Sequence, residues 1–349
     1  MYIKRKLSNR FDLVASHVKN TYESLNATGA AAIVIHKDKI VKETYWGRQS
    51  KALNSRAIQE DTQFHVASVR KSYIGFAIAY AIHKGYIASI DDQACQYLPS
   101  VDADLLKGTK IRHLLTHTHG LRTVNKSIIR EFLPGESWAY RDICVDLISQ
   151  IIKNTTGKTI ADIVFQQVIE PLSLKETGWY GKREETFVEV IREPNDPHWY
   201  TSDDINGDKM NMYVSARELA YWGYLHLKKG FINGKQIVAK DMLDMATSLQ
   251  SPKMLSTDFP QNGFFWFVKD LPAKNTEIGE LVPKGAYQIL GYTGAAVLVI
   301  PEKDLVVVRM FNSFGSPAGF DYLEDIRSFG NAVMACFNEI RISSTMIDT

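Results

Sequence analysis

Three things are scarce in this sequence: cysteine, an excess of either charge, and long apolar runs. Each scarcity removes a class of protein. Cys95, Cys144 and Cys336 are the only cysteines in 349 residues. Their count is odd and their spacing scattered, which fits neither a disulfide framework nor a redox pair, and buried reduced thiols are expected. Lysine and arginine total 41 against 39 acidic residues, a net charge of +2. Lys4, Arg5 and Lys6 form the one tight N-terminal basic cluster, so no nucleic-acid partner is expected. The longest apolar stretches, such as Ile74 to Ile82, fall far short of the roughly 20 residues that cross a bilayer, and no membrane partner is expected. The N-terminal stretch carries no apolar leader core. Phe11, Val14, Val18 and Tyr22 instead fall at helical spacing, and a cytoplasmic protein is expected.

What is present is ordinary globular material, 45% hydrophobic and 23% charged. A chain of this size can bury a core without a metal or a cross-link. "AAIVIHKDKIVKETYWG" reads as two strands joined at His36 to Lys39. From Ser68 to about Ile169 the apolar spacing turns helical, and Gly157 is a plausible stop for "DICVDLISQIIKNTTG". Residues 181 to 209 are polar and interrupted by Pro194 and Pro197, which reads as a long irregular loop of the kind that often serves function. "SARELAYWGYLHLKKG" is a helix capped by Ser215, with Glu218 three residues on. "GFFWFVKD", "YQILGYTGAAVLVIP" and "LVVVRMFN" read as strands, the last two turning at Pro301 to Asp304. "DYLEDIRSFGNAVMACFNEI" closes the chain as a helix. Strands at both ends and helices between them imply an α/β domain built from 1–66 and 205–349, with a mostly helical domain over 67–204.

One stretch bears on chemistry. In "DTQFHVASVRKSYIGFAIAYAIHKGYI", Lys71 follows Ser68 by three residues where an apolar run begins. A helix starting near Ala67 places both on one face. Ser68 then sits in the first turn, where free N–H groups and the helix dipole favour developing negative charge. A partly desolvated amine beside the hydroxyl can lose its proton and act as a base. The pair alone is weak evidence, because a capping serine and a solvated lysine give the same spacing. It gains weight from two partners. "LPGESWAYRD" supplies Tyr140-Arg141-Asp142 after a Pro-Gly turn, and "LGYTGAAVLVI" supplies Tyr292-Thr293-Gly294 at the head of an apolar strand. Glycine there lets a bound group approach the strand backbone. The N–H groups of Ser68 and Ala295 could form an oxyanion hole.

With these elements in order, the chain resembles the serine β-lactamase and penicillin-binding-protein superfamily, and within it the class C branch, which also holds esterases, D-amino peptidases and amide hydrolases. "FHVASVRKSYIGFAIAYAIHKGYIASIDD", "IRHLLTHTHGL", "LPGESWAYRD", "SARELAYWGYL" and "NGFFWFV" carry the resemblance across nearly the whole chain. It implies an α/β (α+β) fold of the β-lactamase/transpeptidase type: an antiparallel sheet flanked by terminal helices, plus an all-helical domain. It implies Ser68 as acylated nucleophile, with the Lys71 amine held against Ser68 and Tyr140. It implies Tyr140 as general base or activator of the deacylating water, and Ser68 and Ala295 as oxyanion donors. A tyrosine in that role needs a neighbouring cation to ionise at neutral pH. Asp142, Tyr292, Thr293 and Gly294 are the expected substrate-binding positions, and no cofactor or metal is expected.

Two departures from the pattern matter. Asp142 stands where the class C pattern has an asparagine, so an acceptor-only carboxylate replaces an amide. Paired with Lys71, it would raise the lysine pKa and weaken it as a base. Tyr292 stands where β-lactamases carry the lysine that receives a substrate carboxylate. A charge-assisted hydrogen bond contributes on the order of 1.5–3 kcal/mol, so recognition of an anionic β-lactam should fall about tenfold to a hundredfold. The expected function is therefore hydrolysis of an ester, amide or peptide-like small molecule through an acyl-enzyme. A true β-lactamase or D,D-carboxypeptidase and a catalytically silent binding protein are the alternatives. Acyl transfer to an amine or alcohol in place of water stays open beside hydrolysis. His113, His117 and His119 have metal-like spacing but fall in the family's loop segment, and "TTGKT" lacks the first glycine of a phosphate loop. Of the run Phe264 to Phe267, core packing and a pocket wall are equally expected uses, with Trp138, Trp199 and Tyr200 as further wall candidates.

Overall fold

The computed structural model describes residues 1–338. A seven-stranded sheet carries the fold, in the order Lys4–Arg5, Lys39–Gly47, Gly29–His36, Leu305–Phe311, Ala296–Ile300, Tyr287–Leu290, Phe267–Val268. Only the short first pair is parallel; the other neighbours run antiparallel. Both hairpins foreseen from the sequence are present. Lys37 and Asp38 turn the first with φ of 49° and 63°, the two-residue loop whose twist matches its strands. A single helical turn, Pro301–Lys303, followed by Asp304 in the left-handed region, closes the second.

The central strands are apolar on both faces because both faces are covered. Ile33, Ile35, Val297, Val299, Val306 and Val308 pack towards the helix Ala216–Leu227. Their alternates Ala32, Val34, Leu298, Ile300, Leu305 and Val307 pack against the terminal helices Asp12–Ser24 and Tyr322–Ala335. Period-two alternation assigns each residue its side. Residues 339 and 340, read from the sequence as the end of the closing helix, lie outside the described residues.

The helix that follows Ser68 threads the first of these cores. A short turn, Ala67–Val69, leads into the helix Arg70–His83, and every residue from Arg70 to Ala81 is buried. A helix that is apolar all round belongs in an interior. Tyr73 stacks on Trp222 of the helix Ala216–Leu227 at 3.9 Å and 9°, and Trp222 Nε1 donates to Ser72 Oγ at 2.9 Å. Such an aromatic pair adds about 0.5–1.5 kcal/mol beyond its buried area. At Gly75 a Cβ would meet the Phe264 carbonyl oxygen at 2.7 Å, so only glycine lets the helix lie this close.

Three local expectations need correction. The region read as helical from Ser68 to Ile169 contains a hairpin, Leu121–Val124 with Ser127–Arg130. Asn125 and Lys126 turn it, both at positive φ; asparagine is the residue that tolerates this best. "GFFWFVKD" is a strand only at Phe267–Val268. Phe265 has φ 63° and gives its N–H to the Leu115 carbonyl, at the end of the helix Ile111–Leu115, so the chain bends away from the sheet. Ser215 caps its helix by accepting from the Glu218 N–H, but the Glu218 carboxylate does not return the bond. It is buried and accepts from the Lys175 and Glu176 N–H groups and the Thr177 hydroxyl.

Candidate active site

Ser68 sits at the turn into the buried helix. The preceding Ala67 has φ 45°, a left-handed conformation that a non-glycine residue holds only under constraint from its surroundings. Arg70 Nη1 donates to the Ala67 carbonyl, and its Nε reaches the Asp208 carbonyl at 3.3 Å. The Ser68 side chain is thereby presented to a cavity of about 510 Å³ that Tyr140, Asp142, Tyr292 and Gly294 also line.

Lys71 joins these parts. Its Nζ donates to Ser68 Oγ at 3.1 Å and to Asp142 Oδ1 at 2.6 Å, and lies 4.6 Å from the centre of the Tyr140 ring. The lysine side chain is 1% exposed and the Asp142 side chain 70%. Burial disfavours the ammonium, but the fields of Tyr140 and Asp142 outweigh it and hold the amine above its usual pKa. Burial would raise the Asp142 carboxyl, yet Lys71 and Arg70 hold it at about 2. The Tyr140 and Asp142 fields both work against the neutral amine that the residue types alone suggest, in the direction expected of a Lys71–Asp142 pair. Asp142 heads the helix Ile143–Thr156 without capping it, its carboxylate being given to Lys71. Beneath the site the Cys144 thiol donates to the Arg141 carbonyl, and burial pushes it up to about 12, which leaves it inert.

Tyr140 lies flat on the His117 ring at 4.4 Å. His117 is buried with φ 58°, and burial together with the Lys71 charge keeps it neutral. The other two histidines of this segment turn elsewhere: His113 Nδ1 accepts from the Lys110 N–H and His119 Nδ1 from the Leu121 N–H. Among the described residues no group of three or more His, Cys, Asp or Glu side chains is arranged to hold a metal. No helix among them is long and apolar enough to cross a membrane.

The opposite wall comes from the turn between the strands Tyr287–Leu290 and Ala296–Ile300. A Cβ on Gly291 would meet the Val66 carbonyl at 2.3 Å, so this glycine lets the strand end lie against the turn that carries Ser68. Gly294 has φ 81°, and a Cβ there would strike the Phe311 ring at 2.7 Å. Neither the Ser68 nor the Ala295 N–H donates to another group among the described residues. Tyr292 is half exposed and stands edge-on to Phe314. Thr293 departs from the expected position. It is fully buried, and its hydroxyl donates to the His65 carbonyl at 2.8 Å, so it braces the strand and is absent from the cavity wall.

Phe264, Phe265 and Trp266 go to the core and Phe267 to the cavity. Trp138 gives its N–H to Asn262, Trp199 packs on His65 and Phe314, and Tyr200 lines a second, smaller cavity. Sequence reasoning passed over His198, Glu277, Arg309, Tyr322 and Asp325, which also line the cavity that Ser68 faces. One signal was available: Arg309 is the lone charge inside the apolar strand "LVVVRMF".

Comparison with known proteins gives the family. The Beta-lactamase family model matches residues 14–329. The chain belongs to the β-lactamase family. On that membership it is a hydrolytic serine enzyme. It is 57% identical to an uncharacterized protein of Alkalihalophilus pseudofirmus, over 96% of this chain and 99% of that one. It is 26% identical to esterase EstB of Burkholderia gladioli over 46% of this chain and 49% of that enzyme. The fold superposes on a penicillin-binding protein homologue from Caulobacter crescentus with a TM-score of 0.75 at 15% identity, covering 96% of this chain and 100% of that one.

Proposed function

We propose that this protein hydrolyses neutral or basic ester, amide or peptide-like substrates through an acyl-enzyme on Ser68. The observation that carries the reading is the buried Lys71 Nζ, 3.1 Å from Ser68 Oγ and 2.6 Å from Asp142 Oδ1. Because Lys71 donates to Ser68, the serine proton is free to leave towards Tyr140. As Oγ attacks the carbonyl carbon, its proton passes to the Tyr140 oxygen. The carbonyl oxygen becomes an oxyanion facing the Ser68 and Ala295 N–H groups, which have no competing acceptor. Tyr140 returns the proton to the leaving group, and water attacks the ester on Ser68 by the same relay.

Tyr292 decides the substrate class. No cation stands at the strand position that would meet a substrate carboxylate, which disfavours β-lactams and peptide C-termini. The esterase among the relatives fits this choice. The test is a substrate panel on wild type and Ser68→Ala. Turnover of p-nitrophenyl esters at least a hundredfold faster than nitrocefin, lost in the variant, is expected. Nitrocefin turnover matching the esters would overturn the assignment of substrate, and ester turnover unchanged in Ser68→Ala would overturn the nucleophile.

A further inference from the structure

Three carboxyl groups line the cavity that Ser68 faces: Asp142, Asp325 and Glu277. Two of them have a cation. Asp142 pairs with Lys71 at 2.6 Å, and Asp325 with Arg309 at 2.7 Å. Glu277 has no such partner among the described residues. Its Oε2 accepts only from the Tyr322 hydroxyl, at 3.5 Å, and its Oε1 has no hydrogen bond among them. The unpaired atoms of Arg309 and Asp325 are sealed within the fold, whereas Glu277 Oε1 is not. Polar groups this deep in a folded protein are ordinarily paired, and an unpaired one calls for an explanation.

The carboxyl is held in place. Gln288 Nε2 donates to the Glu277 carbonyl at 3.0 Å, and Arg327 Nε donates to the neighbouring Thr276 carbonyl at 2.9 Å. Arg327 gives Nη2 to the Lys274 carbonyl and makes no ion pair with Glu277. Burial pushes the carboxyl up to about 7, against the weaker pull of the Tyr322 hydroxyl and the Arg327 field. The ionised form therefore lacks compensation. A substrate carboxylate here would be repelled. A neutral donor would satisfy one oxygen and leave the charge uncompensated. A cation does both. Phe267 and Phe320 line the same cavity, apolar rings that suit a methylene chain.

We propose that Glu277 receives a primary ammonium at the end of the substrate's acyl chain, so that the preferred substrates are ω-amino acyl esters or amides. Two ammonium N–H groups suffice for Oε1 and Oε2, and the aromatic walls tolerate the charge. A site that hydrogen-bonds such a head group rejects analogues lacking it, because its own buried group is then left unpaired. An alkylammonium keeps its proton up to about pH 10. Recognition therefore follows the ionisation of Glu277 and strengthens as pH rises through 7. The proposal rests on the acyl-enzyme reading, in that the carbonyl attacked at Ser68 and the ammonium occupy one cavity.

The test separates the two ideas. Calorimetry on Ser68→Ala protein with hexylamine, hexanol and hexanoate measures the pocket without catalysis. At pH 8 hexylamine is expected to bind roughly tenfold or more tighter than the other two, the worth of one charge-assisted hydrogen bond. That preference should fall at least fivefold when Glu277→Gln is added, and likewise at pH 5.5, a comparison that needs no second variant. In wild type at pH 8, the p-nitrophenyl ester of 6-aminohexanoate should have a kcat/KM at least tenfold above that of heptanoate. Equal or tighter binding of hexanol or hexanoate, a preference unchanged in Glu277→Gln, or no binding of any of the three overturns the ammonium site. Hexylamine binding that depends on Glu277, with no ester turnover in wild type, supports the site and overturns the acyl-enzyme reading alone.

Discussion

The two ends of the catalytic cavity are built on opposite terms. At the Ser68 end the charges are paired: Lys71 reaches both Ser68 and Asp142, and Tyr140 lies under the ammonium. At the Arg309 end the charges touch but their hydrogen bonds are unmade. Bonds completed in the free protein mark groups held in place before any ligand arrives, which is what catalysis by preorganised charge requires. The Arg309 and Asp325 atoms with unmade bonds are closed off from the cavity, so their pair is a buried contact of the fold. The packing follows the same division. The Ser68 end stands on a buried helix locked by the Tyr73–Trp222 stack, whereas at the other end Arg309, on the central strand, meets Asp325 of the closing helix.

The strongest way to break this comparison is Lys71→Met. It removes the paired cation while keeping the buried volume, and serine labelling by a fluorophosphonate should slow by about a hundredfold to ten-thousandfold, in line with loss of proton-transfer assistance. A rate within threefold of wild type would contradict it. Tyr292→Lys sharpens the distinction from β-lactam recognition. Supplying the missing cation should raise nitrocefin reactivity by about tenfold to a hundredfold, the worth of one charge-assisted bond.

The fold was legible where pattern and burial agree. The apolar runs of Gly29–His36 and Leu305–Phe311 and the stop at Gly157 each state their role locally. The Ser68–Lys71 pair was legible because the next helical turn fixes its geometry. The Asn125–Lys126 hairpin and the bend at Phe265 were not, because each depends on partners distant in the sequence: the Phe265 N–H is taken by Leu115. Thr293 was placed on the cavity wall by its neighbours, but the carbonyl of His65 draws its hydroxyl inward. Glu277 and Asp325 carry no local signal, since acidic residues in polar stretches look alike until the fold brings Asp325 against Arg309 and Glu277 against Tyr322.

Two smaller effects refine the comparison. Asp142→Asn removes the carboxylate that helps hold Lys71 above its usual pKa, so the alkaline limb of the labelling pH profile should move to lower pH. An unmoved limb would mean Asp142 does not set the state of Lys71. At the other end, burial raises the Glu277 carboxyl to about 7. Its folded pKa exceeds its unfolded value of about 4.3, so the native state binds the extra proton between those values. That contribution is full below about pH 4 and is lost as pH rises through 7. Wild type should therefore lose thermal stability relative to Glu277→Gln between pH 5 and pH 8, and parallel melting curves would contradict it.

The most direct measurement is peptide mapping of the intact protein after reaction with a fluorophosphonate at neutral pH. The account predicts one adduct, on the peptide carrying Ser68, absent from Ser68→Ala and much slower to form in Lys71→Met. No adduct on wild type, or an adduct on any other serine, would contradict the claim that the paired end of this cavity is the catalytic one.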